Sequence, residues 1–397
     1  MTGSDRFTLL REDSNSDARV TFIETFFDLV YVFAVTQLAS LLEHHLGFLG
    51  AFHMLILLLA VWWAWVCTAW VTNWFDPDTR AVRIMLLGTM VVSLVMSAAL
   101  PEAFGAHGLI FALAYVVIQG GRSLFAVLTL GGHELRRNFE RILAWIVASG
   151  AFWIAGAFIQ GTGRELVWLL AIVIDYAGPA AAFYTPGLGR SETSDLRTIM
   201  GGHLAERCQL FVIIAFGELI LDTGLTLSNL GFTISRVIVV AVAFAGSVAL
   251  WWLYFDRSAE AGSDIISGSE DPGQLGRTAY TYYHLPMVAG IIVSAVADEL
   301  AIAHPGAAGG SATIAIILIG PALFLFGHTL FKYVIFHHVQ ASRVVAIVAL
   351  GLLAPFAGML SLLALTIATT LIEVAVVAWE SRFTALPMPD LPIGRLE

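Results

Sequence analysis

The chain has 397 residues, 58% of them hydrophobic and only 13% charged, with a formal net charge of −10. That is about half the charge density of a soluble domain. With a mean hydropathy of +0.83, it excludes a soluble protein and leaves an integral membrane one. No basic patch for nucleic acid is present, and the two cysteines, Cys67 and Cys208, both lie in apolar runs, which fits neither a disulfide framework nor a zinc site.

Continuous apolar runs of about 20 residues recur along the chain, the length a helix needs to cross a bilayer. They predict twelve spans, at 22–42, 48–69, 82–100, 109–130, 141–159, 166–185, 203–225, 235–255, 278–300, 313–336, 343–360 and 362–380. The runs do not alternate polar with apolar, which argues against a β-barrel. The polar segment before the first span carries no short apolar stretch with a cleavage site, so that span is expected to act as an uncleaved anchor. Fifteen of the 20 basic residues, from Arg6 to Arg395, fall on one side of the twelve spans. Arg164 and Arg236 fall on the other, and Arg122, Arg207 and Lys332 lie within spans. The excess of positive charge places both termini in the cytoplasm.

The first span reads FIETFFDLVYVFAVTQLASLL and the seventh HLAERCQLFVIIAFGELI. Glu24 stands against Glu206. Further matches follow in the same order: Trp62-Trp63 with Trp251-Trp252, Asp76 with Asp256, Arg122 with His328, and Asp175 with Glu373. The polar loop from Arg257 to Gly276 is longer than its counterpart and absorbs the drift in spacing. The expected fold class is an all-α polytopic membrane protein, its twelve transmembrane helices forming two parallel six-helix repeats. The units are an N-terminal cytoplasmic tail (1–21), a first repeat (22–186), a linker (187–202), a second repeat (203–380) and a C-terminal tail (381–397).

Ionisable residues inside spans are costly, by roughly 2.5–3.5 kcal/mol on insertion scales, and face protein or water by default. Glu24 and Asp28 are four apart and share one helical face. They read either as a cation-attracting pair at the mouth of a pathway or as a structural ion pair. Glu206, Arg207 and Glu218 lie on the seventh span, with Glu218 near mid-membrane. The ion-pathway candidates are Glu24, Phe26, Phe27, Asp28, Glu206 and Glu218. Arg122, Asp175, Arg207 and Glu373 are expected to pair charges within the membrane. His203 and Glu206 have a helical spacing that suits a metal, but no third ligand is in view. HExxH, GxSxG and P-loop motifs are absent, so no catalytic residue, cofactor or metal is implied.

The FIETFFDLVYVFAVTQLASLL and HLAERCQLFVIIAFGELIL stretches resemble the two motifs of the bacterial low temperature requirement A family, and the similarity covers nearly the whole chain. In the second, Cys208-Gln209 stands where the family has an aromatic and a small residue. The resemblance implies an identity without a chemistry. A more distant similarity is to the two-repeat, six-plus-six-span potassium channels whose first helix carries Phe-Ser-Asp, here matched by Phe26-Phe27-Asp28. That similarity implies that Asp28 holds a pore-lining helix and that Val35, Leu38 and Leu42 follow the conduction path. Leu210 takes the aspartate's place in the second half.

The leading expectation is a channel or transporter for a small cation or a proton-coupled solute. One alternative is a membrane-embedded enzyme or lipid-binding protein using Asp76, Asp78 and Asp256. Another is a structural or sensory component in which the buried charges only specify packing. The lipid bilayer is the expected partner, and a homodimer is possible by analogy.

Overall fold

The computed structural model describes residues 9–11, 19–191, 199–256, 258–269 and 271–383. Most of the N-terminal tail, the middle of the 187–202 linker, nearly all of the C-terminal tail and four of the counted arginines (Arg6, Arg197, Arg257 and Arg395) lie outside the described residues. Among the described residues, twelve long helices coincide with the twelve predicted spans. They are α1 (Phe22–His44), α2 (Phe48–Trp74), α3 (Arg80–Ala98), α4 (Gly108–Thr129), α5 (Leu135–Ala157), α6 (Thr162–Ala180), α7 (Gly201–Leu230) and α8 (Ile234–Phe255), then, after a shorter α9 (Ser258–Ser267), α10 (His284–Ala303), α11 (Ser311–Phe336), α12 (Ala341–Ala357) and α13 (Leu362–Phe383). Ten are long and apolar enough to cross a membrane by composition alone, α10 with its lead-in from Pro272. Of the other two, α6 carries Arg164, Glu165 and Asp175, and α12 has only 17 residues.

The stretch read as a polar loop after Arg257 is largely helical. Ser258–Ser267 forms α9, and a π-helical run over Gly276–Tyr282 leads into α10. Small residues at a helical spacing allow this: Gly262 packs so close that a Cβ there would stand 3.1 Å from the Tyr280 hydroxyl.

In the first half α1 packs on α2 and α3, α3 on α4, α4 on α2 and α5, and α6 on α5 and α2. In the second half α7 packs on α8 and α10, α10 on α11, α11 on α8 and α12, and α13 on α12 and α8. The halves meet where α1 and α2 touch α7 and α10. The α10–α11 pair is the closest. A Cβ on Gly290 would stand 2.5 Å from the Phe324 amide nitrogen, and one on Gly327 2.9 Å from that of Met287. Without a hydrophobic drive between helices in lipid, glycine permits the close approach that dispersion needs.

The outer surface is apolar. Ile84, Leu87, Val91 and Val95 form one exposed stripe along α3, at the three-and-four spacing of a helix face. A stripe of that extent requires acyl chains around it.

Loops at one end pair with each other, and so do loops at the opposite end. Leu10 bridges Phe75, and Arg343 at the start of α12 meets Glu380 near the end of α13 at 3.0 Å. At the other end Ala308 bridges Ser361, and His53 meets Glu165 at 2.8 Å. Arg164 and Arg236, the two basic residues assigned to the poor side, both serve carbonyls. Arg164 donates to the carbonyls of Ala103, Gly105, Ala157 and Ile159, and Arg236 to those of Leu230 and Gly231. Each satisfies orphan acceptors at helix C-termini, where a cation also meets the favourable end of the dipole.

Candidate functional site

The densest polar contact in the molecule joins α1, α2 and α7. The Thr21 amide and hydroxyl both donate to Glu24 Oε2, which fixes the carboxylate in the first turn of α1. One turn on, Asp28 shares that face. Arg207 reaches both across the α1–α7 contact, with Nη1 donating to Glu24 Oε1 at 3.0 Å and Nη2 to Asp28 Oδ1 at 2.6 Å. All three side chains are fully buried.

Neighbours complete the cluster. Trp65 Nε1 donates to Asp28 Oδ1 at 2.7 Å, and Arg207 Nη1 also donates to Thr72 Oγ1. The guanidinium lies 5.8 Å from the ring centres of both Phe27 and Trp65. Arg11, from the N-terminal segment, donates to the Thr72 carbonyl and reaches Glu24 at 3.3 Å. His203 Nε2 lies 3.0 Å from Glu24 Oε1, while its Nδ1 faces Asn73. Two arginines thus face two carboxylates with a histidine between, which is the neutrality a dry site demands.

His203 points at Glu24, the neighbour it meets in place of Glu206. Among the described residues no group of three His, Cys, Asp or Glu side chains could hold a metal. Glu206 instead accepts from the Val20 amide at 3.1 Å. Phe26 is exposed on the outer face of α1, and Phe27 is buried. Val35, Leu38 and Leu42 are buried in the core.

A second polar centre lies further along the same two helices. Glu218 is buried and accepts a hydrogen bond from the Thr36 hydroxyl of α1. From Arg207 to Glu218 is eleven residues, or about 16 Å of helix rise. Asp222 follows one turn later, within electrostatic reach of Glu218, Glu299 and Glu43. Thr226 donates to Glu299 at 3.4 Å, and Glu43 meets His44 at 3.7 Å. Among the described residues no arginine or lysine pairs with Glu218, Asp222 or Glu299. Glu43, Asp222 and Glu299 escaped the sequence reading, although Asp222 continues the helical stripe of Glu218.

The remaining expected residues are placed apart. Arg122 makes no direct ion pair with Asp175 among the described residues. Its Nη2 donates to Gln119 Oε1, Gln119 Nε2 donates to the Tyr115 hydroxyl at 3.1 Å, and that hydroxyl donates to Asp175 Oδ2 at 2.8 Å. The charges are linked through two neutral side chains, and Trp153 Nε1 also donates to Asp175. Glu373 lies in the other half, with Oε2 buried and without a partner among the described residues. Asp76 and Asp78 are engaged locally. Asp76 Oδ1 accepts the Asp78 amide, and Asp78 pairs with Arg83 at 2.9 Å.

The profile of the bacterial low temperature requirement A protein matches residues 19–378. An uncharacterized protein of Rhizobium meliloti (strain 1021) is 37% identical over 377 residues, covering 94% of this chain and 91% of the relative. No solved structure matches the chain significantly. The match runs from the approach to α1, through the Glu24–Asp28–Arg207 cluster, and into the last helix. This multi-pass membrane protein belongs to the bacterial low temperature requirement A family.

Proposed function

We propose that the protein carries a small cation, the proton included, across the membrane along the α1–α7–α10 contact. The observation that carries this reading is Glu218. It is a buried carboxylate held by a hydroxyl, with no arginine or lysine on it among the described residues, and Asp222, Glu299 and Glu43 lie within electrostatic reach beyond it. A cleft lined by one sign of charge with low-dielectric walls concentrates counter-ions, and rings of Asp and Glu select cations.

The Glu24–Asp28–Arg207 cluster plays the opposite part. It is dry and neutralised, so it joins α1 to α7 and closes the end of the route away from the acids. On this reading the structure is a closed state, and passage requires α1 and α7 to part at Arg207.

The two parallel six-helix repeats and the cytoplasmic termini belong to the same proposal. Each helix contact named within the first half has a counterpart in the second, which supports a duplication. The pairing of loops within each end supports the assignment of sides, with the arginine-rich end in the cytoplasm.

The test is flux. Protein reconstituted into liposomes should pass K⁺, Na⁺ or H⁺ down an imposed gradient. Glu218→Gln should reduce that flux while leaving the protein folded. Absence of flux for all three ions in the native protein would remove the proposal.

A further inference from the structure

Helices α8, α10, α11 and α13, with Leu219 of α7, line a cavity of about 30 Å³. A water needs roughly 10–15 Å³ on the same measure, so the space suits one ion with a water beside it. Its wall carries two carboxylic acids, Asp298 and Glu373, and five hydroxyl side chains, with no lysine, arginine or histidine.

Apart from Ser294, the hydroxyls lining the cavity spend their protons on backbone carbonyls. Ser247 and Thr366 donate to carbonyls one turn back, those of Ala243 and Leu362, and Thr370 donates to the Val242 carbonyl. A hydroxyl has one proton, so these groups keep only lone pairs for an occupant. Pro321 has no amide hydrogen and leaves the Ile317 carbonyl without its helical donor; both residues line the cavity. Glu373 Oε2 and Ser294 Oγ have no partner, in side chains only 4% and 8% exposed. A Cβ on Gly246 would stand 2.9 Å from Glu373 Oε2 and 3.2 Å from Thr370 Oγ1. The glycine keeps that approach to the carboxylate open.

The corresponding acid of the first half shows what is missing. Asp175 is satisfied by Tyr115 and Trp153. In the register that sets Arg122 against His328, Tyr115 stands against Pro321. Ring and donor are both lost there, and an acceptor-lined cavity stands beside Glu373 in their place.

Buried acids with no donor are costly until something neutralises them, and hard oxygen ligands select hard cations. We propose that this cavity binds one alkali cation of sodium or lithium size. Asp298, Glu373 and the surrounding hydroxyl oxygens ligate it, and one carboxyl keeps its proton so that the site is neutral overall. The assignment does not rest on the Glu218 route, although Leu219 and Asp298 of the lining stand next in sequence to Glu218 and Glu299 of that route.

Equilibrium binding of radioactive sodium to the full-length protein in detergent, with choline as the inert cation, tests this. The expected result is saturable binding at one ion per chain, displaced by lithium and not by choline. Asp298→Asn and Glu373→Gln should each weaken binding by at least about tenfold, because each removes one of the two carboxyls that share a single negative charge and one proton around the ion. Gly246→Ala should do the same with no change of charge. If one variant fails to fold by gel filtration, the other two decide. No saturable sodium binding, equal binding in the folded variants, or displacement by calcium alone would overturn the assignment.

Discussion

The hydroxyl of Thr36 donates a hydrogen bond to Glu218 across the α1–α7 contact, and the two residues stand 182 positions apart. That is also the separation of Glu24 and Glu206. In a duplicated chain, residues at matching positions touch only near the axis that relates the halves. The account therefore puts the unneutralised carboxylate where the halves meet, with a threonine as its counterpart.

Arg207 should be the most sensitive residue in the chain. Removing one member of a buried ion pair costs about 3–5 kcal/mol, because the partner charges are left bare. Arg207→Gln is expected to lower the melting temperature sharply in detergent. Combining it with Glu24→Gln should restore part of the loss, since the acid then no longer needs its counter-charge. Additive losses in that double-mutant cycle would show that the 3.0 Å contact between them is not energetically coupled.

Trp65→Phe tests the support of Asp28. The substitution keeps an aromatic ring and deletes the 2.7 Å donor to Asp28 Oδ1. Because Asp28 Oδ2 already lacks a partner, the carboxylate would rest on Arg207 alone. A destabilisation of about 1–3 kcal/mol is expected, measurable by thermal unfolding. An unchanged melting temperature would place that hydrogen bond outside the energetics of the cluster.

Tyr115→Phe interrupts the link from Arg122 to Asp175. It removes one donor from Asp175 while Trp153 keeps the other. The account expects a stability loss of about 1–3 kcal/mol and cation flux equal to the native protein's. Flux falling in a variant that remains folded would draw the α4–α6 contact into the route.

Gly290→Val tests the backbone contact of α10 with α11. A Cβ at Gly290 would stand 2.7 Å from the Gly320 carbonyl as well as against the Phe324 amide, and neither atom can rotate away. Overpacking of this kind costs about 1–3 kcal/mol or more. The expected outcome is a lower melting temperature and a poorer yield of monodisperse protein. Tolerance of valine there would mean that the two helices pack less closely than described.

Helix number and extent were legible because hydropathy at about 20-residue spacing is set by the bilayer itself. Glu24 and Asp28 stood out for the same reason, as carboxylates inside an apolar run. Their partners did not. Arg11 lies in a polar tail that carries no pattern, and Trp65 sits among tryptophans that read equally well as interface anchors. Asp298 offers the same signal as Asp28, but Ser294 and the threonines of α13 are ordinary residues in a membrane helix. What makes them a site is the cavity that five helices line, which no local spacing records. Arg164 looked like an exception to the charge asymmetry until its four carbonyl acceptors were seen.

The most direct measurement is cation flux through proteoliposomes containing native protein, Glu218→Gln or Asp222→Asn, with each folded state checked by gel filtration. The account predicts measurable flux of at least one of K⁺, Na⁺ and H⁺ in the native protein, reduced in both variants. Flux that persists unchanged when Glu218 and Asp222 are neutralised would contradict it.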